Sequence, residues 1–534
     1  MPRSSAPTVL NTLMESPRDE GYSLVNSTAT VEDAAFGRKF RNIHGMGWLI
    51  TCLFIVGETA GGGLIAMPTA VISTGLLGGI IIILLGAIIC AYTGNQLSEN
   101  WTILQERWPE YRHHCRKPYP AMGYRALGPK FMSIVSLCLD VTQFGTAVVF
   151  MLLAAKNLEN FLHMYGGIQV GFCYLVVIVG VFMLPFTMLK SPKDFWWAVI
   201  GAMITTTVAV GLIIFGSSMD YSTCAPHNAY PPMRMSKFFM SFGTVMFAYG
   251  GHGAFPTIQH DMKKPYHFRR SVFLAFTIIC MMYAPVSVIG YSAYGNSLHD
   301  SIIPSLQNLW IQQAVNVLIT LHVVLALTIV FNPINQEFEE MLNVPQGLQF
   351  GVKRILCRSA MMAAVVFVAE TVPEFGVLLD LVGGSTITLM ALIFPVIFNL
   401  FLHAGHKKHE GKLAASGENW ITISEFAVGV IGGLAATWSA MNVMLGAEFS
   451  PPCYAGIFRS APAVLDNATI PFSIRPKLSF PGFFRQLQLA YYTRCSMLSV
   501  SLSICCSFVV KSVSRVEIVI YCLMFLLVSL SSRS

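Results

Sequence analysis

Along the chain, apolar residues come in long blocks rather than in amphipathic stripes, and the blocks are separated by short polar intervals. A bilayer-spanning helix needs about 20 mostly apolar residues. Eleven blocks qualify: 47–74, 76–98, 131–155, 169–189, 194–216, 237–257, 270–294, 306–331, 353–372, 374–402 and 420–446. Ser191-Pro192, Pro231-Pro232 and the His/Lys run from His403 to Lys412 punctuate them. The pattern predicts an all-α polytopic membrane protein of eleven transmembrane helices.

The flanks divide the chain further. Residues 1–45 are polar, carry no hydrophobic signal region and read as an N-terminal tail, so the first membrane helix is expected to do the targeting. Residues 46–457 hold the transmembrane domain. Residues 458–534 are serine-rich, with Asp466 and Glu517 as their acids and two apolar runs, 496–510 and 516–530, divided by Lys511 and Arg515. Each run is short for a span, which leaves two readings open: a poorly ordered tail, from an alternative terminal exon, or a twelfth hydrophobic helix. Asn467-Ala468-Thr469 is an N-glycosylation sequon.

Charge tests the span count, because cytoplasmic loops accumulate Lys and Arg. With the N-terminus in the cytosol, the inward segments up to residue 457 hold 22 such residues, and the outward ones only Lys156, Arg234 and Lys237. A missed or invented span would scramble that asymmetry. Composition then narrows the class. The 534 residues are 54% hydrophobic and 11% charged, and mean hydropathy is +0.60. Soluble domains carry about 25% charged residues. A soluble enzyme, a disordered chain and a nucleic-acid module are excluded, the last also because a net charge of +7 is too small. The expected surroundings are a lipid bilayer and no nucleic acid.

Two blocks break the helical pattern. The first reads Gly57-Glu58-Thr59-Ala60-Gly61-Gly62-Gly63-Leu64-Ile65-Ala66-Met67-Pro68. Each glycine costs about 1 kcal/mol relative to alanine in a helix, and Pro68 removes an amide donor. The sixth repeats the device in Tyr249-Gly250-Gly251-His252-Gly253-Ala254-Phe255-Pro256. These blocks open two successive five-helix sets. Interrupted segments at corresponding positions of two halves point to a transporter's binding site, since unwound backbone survives in a membrane only where protein or a cavity satisfies it. Freed amides of Gly61, Gly62, Gly63 and Leu64, beside Thr59, suit a carboxylate. Carbonyls near Phe247, Tyr249 and Gly250 suit an ammonium group. A small zwitterion fits that pair of opposed ends.

The stretch GETAGGGLIAMPTA, the segment Phe242 to Pro265 and the later VGGSTITLMALIFPVIFNL resemble the amino acid/auxin permease family, with the animal proton-coupled amino acid transporters most alike. The likeness runs over about residues 40–457 and stops near Ile457. It implies the 5+5 inverted-repeat fold of the leucine-transporter type, with helices 1 and 6 broken. It also implies secondary transport of amino acids driven by protons or sodium, and a third helix that lines the substrate path.

Ionisable groups inside a bilayer are functional candidates. Glu58, in the first break, either carries a coupling proton or cation or caps freed amides. His252, in the second break, and His322, in the eighth block, titrate near neutrality and suit proton coupling, or else bond between helices. Asp140 shares a helix face with Gln143 and Thr146, as either a substrate-facing or a packing group. Glu370 and Asp380 lie nearer helix ends. His113-His114-Cys115 and His403, His406 and His409 read as solvated loop, and no metal set is completed. Beyond a coupling proton or sodium, no cofactor is implied. Cys224 and Cys453, in polar loops on the non-cytosolic side, are candidates for a disulfide or two free thiols. Tyr22-Ser23-Leu24-Val25 has the form of an endosomal sorting signal.

The expected activity is secondary active transport of neutral amino acids with a proton, neutral because the second break offers no fixed acid or lysine. A sodium-coupled carrier and an amino-acid sensor with little flux remain alternatives of the same fold. A channel would want polar or charged rings, and no GxSxG, HExxH or paired catalytic acids support an enzyme. Plasma membrane and lysosomal or vesicular membrane both stay open, as does oligomeric state.

Overall fold

The computed structural model describes residues 40–42, 45–113, 115–167, 169–188, 196–232, 234–344, 351–409, 420–445 and Cys453. The N-terminal tail with Tyr22 to Val25, His114, the sequon at Asn467 and the tail from 458 onward lie outside the described residues.

The described chain is helical, and each of the eleven apolar blocks forms helix. In order these are α1 Trp48–Thr59, α2 Met67–Thr74, α3 Leu76–Arg107, α4 Pro118–Leu127, α5 Pro129–Gly166, α6 Phe172–Thr187, α7 Trp196–Cys224 and α8 Met235–Tyr249. Then follow α9 Phe255–His260, α10 Phe268–Tyr294, α11 Leu309–Met341, α12 Val352–Thr371, α13 Phe375–Val382, α14 Phe394–His409 and α15 Trp420–Leu445. Among the described residues, seven helical stretches are long and apolar enough to cross a membrane, or eight with the bent pair around residue 60 taken as one. Large apolar side chains such as Leu77, Ile88, Val181, Met281 and Ile431 face outward, as lipid contact requires and water does not.

Several helices outrun their apolar blocks. α3 continues to Arg107 and α11 to Met341, because their polar ends are buried against other elements rather than dissolved. Asn42 and Met46 pair with residues 261–263, Met46 N donating to Asp261 O at 2.9 Å and Lys263 N to Met46 O at 2.8 Å. This defines an N-terminal face of the bundle, where α3 and α11 end. There Glu339 of α11 is enclosed by two arginines of α12: Arg358 Nε donates to Oε1 at 2.6 Å and Arg354 Nε to Oε2 at 3.3 Å. Arg358 also donates to Thr187 O at 2.7 Å. Both arginines are 1% exposed, so both are core charges.

The cysteine expectation is corrected at the opposite face. Cys453 is bonded to Cys173, with Cα atoms 5.5 Å apart, and Cys224 is a free thiol. Cys173 is the second residue of α6, where an apolar block begins, so a search confined to polar loops passes over it. A non-reducing digest should yield a Cys173–Cys453 cross-linked peptide that survives Cys224→Ser. A Cys224–Cys453 peptide would contradict the structure.

Candidate functional site

α1 ends at Thr59, three glycines follow, and a short 3-10 turn Leu64–Ala66 leads into α2 with a bend of 55°. α8 ends at Tyr249 and helix resumes only at Phe255, with Pro256 in the first turn of α9. The two interruptions lie against each other. A Cβ on Gly63 would stand 2.5 Å from Ala248 Cα, and one on Gly251 would stand 2.5 Å from Thr59 Oγ1. Glycine is therefore required here by the approach of two backbones. Tyr283 of α10, fully buried, ties both breaks, its hydroxyl lying 2.9 Å from Ala248 O and 3.2 Å from Thr59 O. The loop between α10 and α11 reaches the first break as well, Ile302 N donating to Ile65 O at 3.0 Å.

A cavity of about 60 Å³ opens where the breaks meet. One water needs roughly 10–15 Å³ on this measure, so the space suits a handful of waters or a very small solute. Glu58, Thr59, Gly61, Gly62 and Gly63 form one wall; Gln143 and Thr146 of α5 form another; Phe247, Gly250 and His252 close a third. The sequence-predicted set thus converges, with two exceptions. Leu64 is fully buried, and its amide donates to Gly61 O at 3.0 Å. The Tyr249 ring turns away from the cavity onto Phe276 and Tyr283. Tyr249, two residues after Phe247 on α8, is carried about 200° round the helix from it.

Within the wall, polar groups are few and exposed to the cavity. Thr59 Oγ1 is buried and, among the described residues, has no hydrogen-bond partner. Glu58 forms no hydrogen bond or ion pair among the described residues and lines the space. His252 lines the wall, while its ring packs on Phe255 and Nε2 donates to Cys90 O at 2.9 Å, beside Thr93 Oγ1 at 3.1 Å. That donation places the ring proton on Nε2 and leaves Nδ1 as acceptor. His322 stands behind the first break. Its Nδ1 donates to Ala202 O at 3.0 Å and neighbours Thr206 Oγ1 at 2.8 Å, while Nε2 would meet a Cβ on Gly61 at 2.5 Å.

Asp140 does not share the cavity with Gln143. It faces Lys117 and Glu337 at the N-terminal face. Asp380 accepts from Thr244 Oγ1 at 2.5 Å and lines a second, wider cavity of about 420 Å³, with Arg234, Lys237 and Asp300 at its rim. Ala66 and Thr69, just after the first break, also line it. Sequence reasoning missed Phe150, Ile387 and Met390. Phe150 continues the Gln143, Thr146 face by one further turn and was legible. Ile387 and Met390 lie in two π-helical segments, Gly383–Ile387 and Leu389–Ile393, whose wider turn rotates them off the face a regular helix would give.

Comparison with known proteins bears on this geometry. A family model described as "Transmembrane amino acid transporter protein" matches residues 44–441. Two Arabidopsis thaliana proteins, amino acid transporters AVT1D and AVT1B, are each 27% identical, over 391 and 357 residues. The matches cover 71% and 64% of this chain, and 67% and 62% of those relatives. Among solved structures, one titled as MhsT in complex with L-phenylalanine aligns with a TM-score of 0.46 at 12% identity, over 75% of this chain and 100% of that one.

Proposed function

Since the chain belongs to the transmembrane amino acid transporter family, the amino acid/auxin permeases, we propose that it is a secondary active carrier of neutral amino acids, coupled to protons and working by alternating access. The carrying observation is the cavity at the touching breaks, with backbone on two sides and little fixed charge. In this reading the chain has eleven spans in a 5+5 inverted repeat of the leucine-transporter type, with helices 1 and 6 broken. The N-terminal face, rich in Lys and Arg, is cytosolic.

The substrate carboxylate would take amides of Gly61 to Gly63 and the Thr59 hydroxyl, at the start of a half-helix whose dipole favours an anion. The ammonium group would approach the end of α8, where the Phe247 and Tyr249 carbonyls each accept one bond from Gly250 N and Gly251 N and keep a second lone pair. Glu58 is the carboxyl placed to exchange a proton with the site, with His252 and His322 behind the two breaks. Neutral side chains follow from a wall whose one charged member, Glu58, has the coupling ion as its partner. The cavity volume favours small side chains, and larger ones require movement of Phe150 or the π segments.

The test is uptake of labelled neutral amino acids into proteoliposomes, first under an imposed pH gradient and then under sodium alone. Accumulation under the pH gradient is expected. Accumulation with sodium only would remove the proton from the proposal, and binding without flux under either gradient would make the protein a sensor of the same fold.

A further inference from the structure

Outside the central cavity, a large set of buried polar side chains runs down α3 toward the N-terminal face. Thr93, Asn95, Gln96, Ser98, Asn100 and Gln105 are each at most 6% exposed. At the upper end, His252 Nε2 meets Cys90 O and Thr93 Oγ1. One to two turns lower, Gln96 Nε2 donates to Glu425 Oε2 at 3.4 Å, and Glu425, on α15, is 5% exposed. The bond to Gln96 sets the Glu425 carboxyl beside the same stretch of α3 that His252 caps. Gln259 of α9 donates to Ser98 O at 3.0 Å. At the lower end, Asn95 donates to Glu99 Oε1 at 2.9 Å, and Glu99 Oε2 lies 3.6 Å from His403 Nε2.

The stripe is not closed on itself. On the side of α3 that carries Thr93, Gln96 and Glu99, Asn95 Oδ1 and Gln96 Oε1 are buried with no protein partner among the described residues, as is His252 Nδ1, whereas Gln105 and the Gln259–Ser98 pair lie on the opposite side. Leaving such a group dry costs about 1–3 kcal/mol, and a strip with several open acceptors is where buried water is stable. Helix packing alone would be better served by apolar side chains or by fully satisfied amides. A carboxyl inside the span adds a further cost that packing does not explain. No lysine or arginine among the described residues forms an ion pair with Glu425. The nearby ionisable groups are Cys90 above, and Glu99, His403 and Arg269, which faces Glu99, at the mouth.

We propose that this stripe is a hydrated path for the coupling proton, with Glu425 as its relay between the His252–Thr93 pair at the broken helix and the Glu99–His403 pair at the cytosolic face. It deepens the proton-symport reading and rests on it. Thr93 and Glu99 are about 9 Å apart along the helix axis, too far for one hydrogen bond and within reach of a carboxyl with water on either side. Each transfer is neutral in atoms and charge: the Glu425 carboxylate takes a proton from water on one side and returns one to water on the other.

The experiment uses the full chain in proteoliposomes with a trapped pH dye, comparing wild type with Glu425→Gln, Glu425→Asp and Gln96→Leu. Two quantities are read: accumulation under a pH gradient with the accompanying proton movement, and counterflow exchange of labelled amino acid, which needs no net proton transfer. Glu425→Gln should lose accumulation and proton movement by about a hundredfold, the lower end for a positioned proton-transfer group. It should keep counterflow near wild type, and Glu425→Asp should regain part of the loss. Should Glu425→Gln fail to fold, Gln96→Leu decides, since it removes the amide beside the carboxyl without changing charge and must show the same split. Accumulation at the wild-type level in these variants overturns the path. So does an equal loss of counterflow and accumulation, which marks a structural role. A wild type that accumulates with sodium alone overturns the path and the proton reading together, whereas failure in the variants only leaves symport standing.

Discussion

Gly62→Val is expected to abolish uptake while the protein is still made, inserted and thermally stable. A Cβ on Gly62 comes 3.1 Å from Phe150 Cε1 and 3.3 Å from Leu153 Cδ2, side chains that can give by a few tenths of an ångström. The isopropyl group of valine then projects into a cavity of only about 60 Å³. A carboxylate displaced from two charge-assisted hydrogen bonds, at about 1.5–3 kcal/mol each, loses at least a hundredfold in affinity. Gly63→Val is the contrasting variant. Its Cβ would lie 2.5 Å from Ala248 Cα, backbone that cannot yield, so this variant should fail to accumulate in the membrane. Normal uptake by Gly62→Val would sink the assignment of the cavity as the substrate site, and normal expression of Gly63→Val would contradict the touching of the two breaks.

The contrast between these neighbouring glycines shows what the sequence could and could not say. That residues 57–68 and 249–256 interrupt helices was legible, because glycine runs and a following proline act locally through propensity and a missing donor. Their contact, the requirement at Gly63 and the bridging Tyr283 hydroxyl come from packing between segments nearly 190 residues apart, and no local pattern carries that. The family assignment was legible for the same reason as the breaks, since the motifs that carried it are those segments. Face reasoning on α5 grouped Gln143 and Thr146, which line one cavity, yet put Asp140 with them. Three residues is nearly a full turn, but it is also about 4.5 Å of rise, enough on this helix to move a side chain from the cavity to Lys117 and Glu337. His322 gained weight: spacing gave it no tie to a break, and the fold sets its ring against Gly61. The disulfide was misassigned because Cys173 sits in an apolar block, and only the packed bundle brings the end of α6 to Cys453.

Burial of charge was the feature least readable from the pattern, and it underlies the second large effect. Glu339→Ala is expected to prevent stable folding. The C-terminal end of α11 carries Glu337, Glu339 and Glu340, acids set against the negative end of the helix dipole, and cations from the segment before α4 and from α12 compensate them. Glu337 and Glu340 pair with Arg116 and Lys117 where all four side chains are 21–34% exposed. Each such pair contributes about 0–1 kcal/mol, so Glu337→Ala should be nearly silent in stability. Glu339 differs because Arg354 and Arg358 around it are only 1% exposed. Removing the acid takes the Glu339 carboxylate away from two buried guanidinium groups, and breaking even one buried pair costs about 3–5 kcal/mol. Against a total stability of about 5–15 kcal/mol, that is a fifth or more. Replacing all three together, Glu339→Leu with Arg354→Leu and Arg358→Met, should recover much of the loss, since an apolar set of similar volume is often neutral or better than the ions it replaces. The measurement is thermal unfolding in detergent followed by tryptophan fluorescence. A midpoint for Glu339→Ala within about 1 °C of wild type, about 1 kcal/mol for a protein of this size, would show that the arginines are hydrated and that the cluster is not the buried ion group the structure describes.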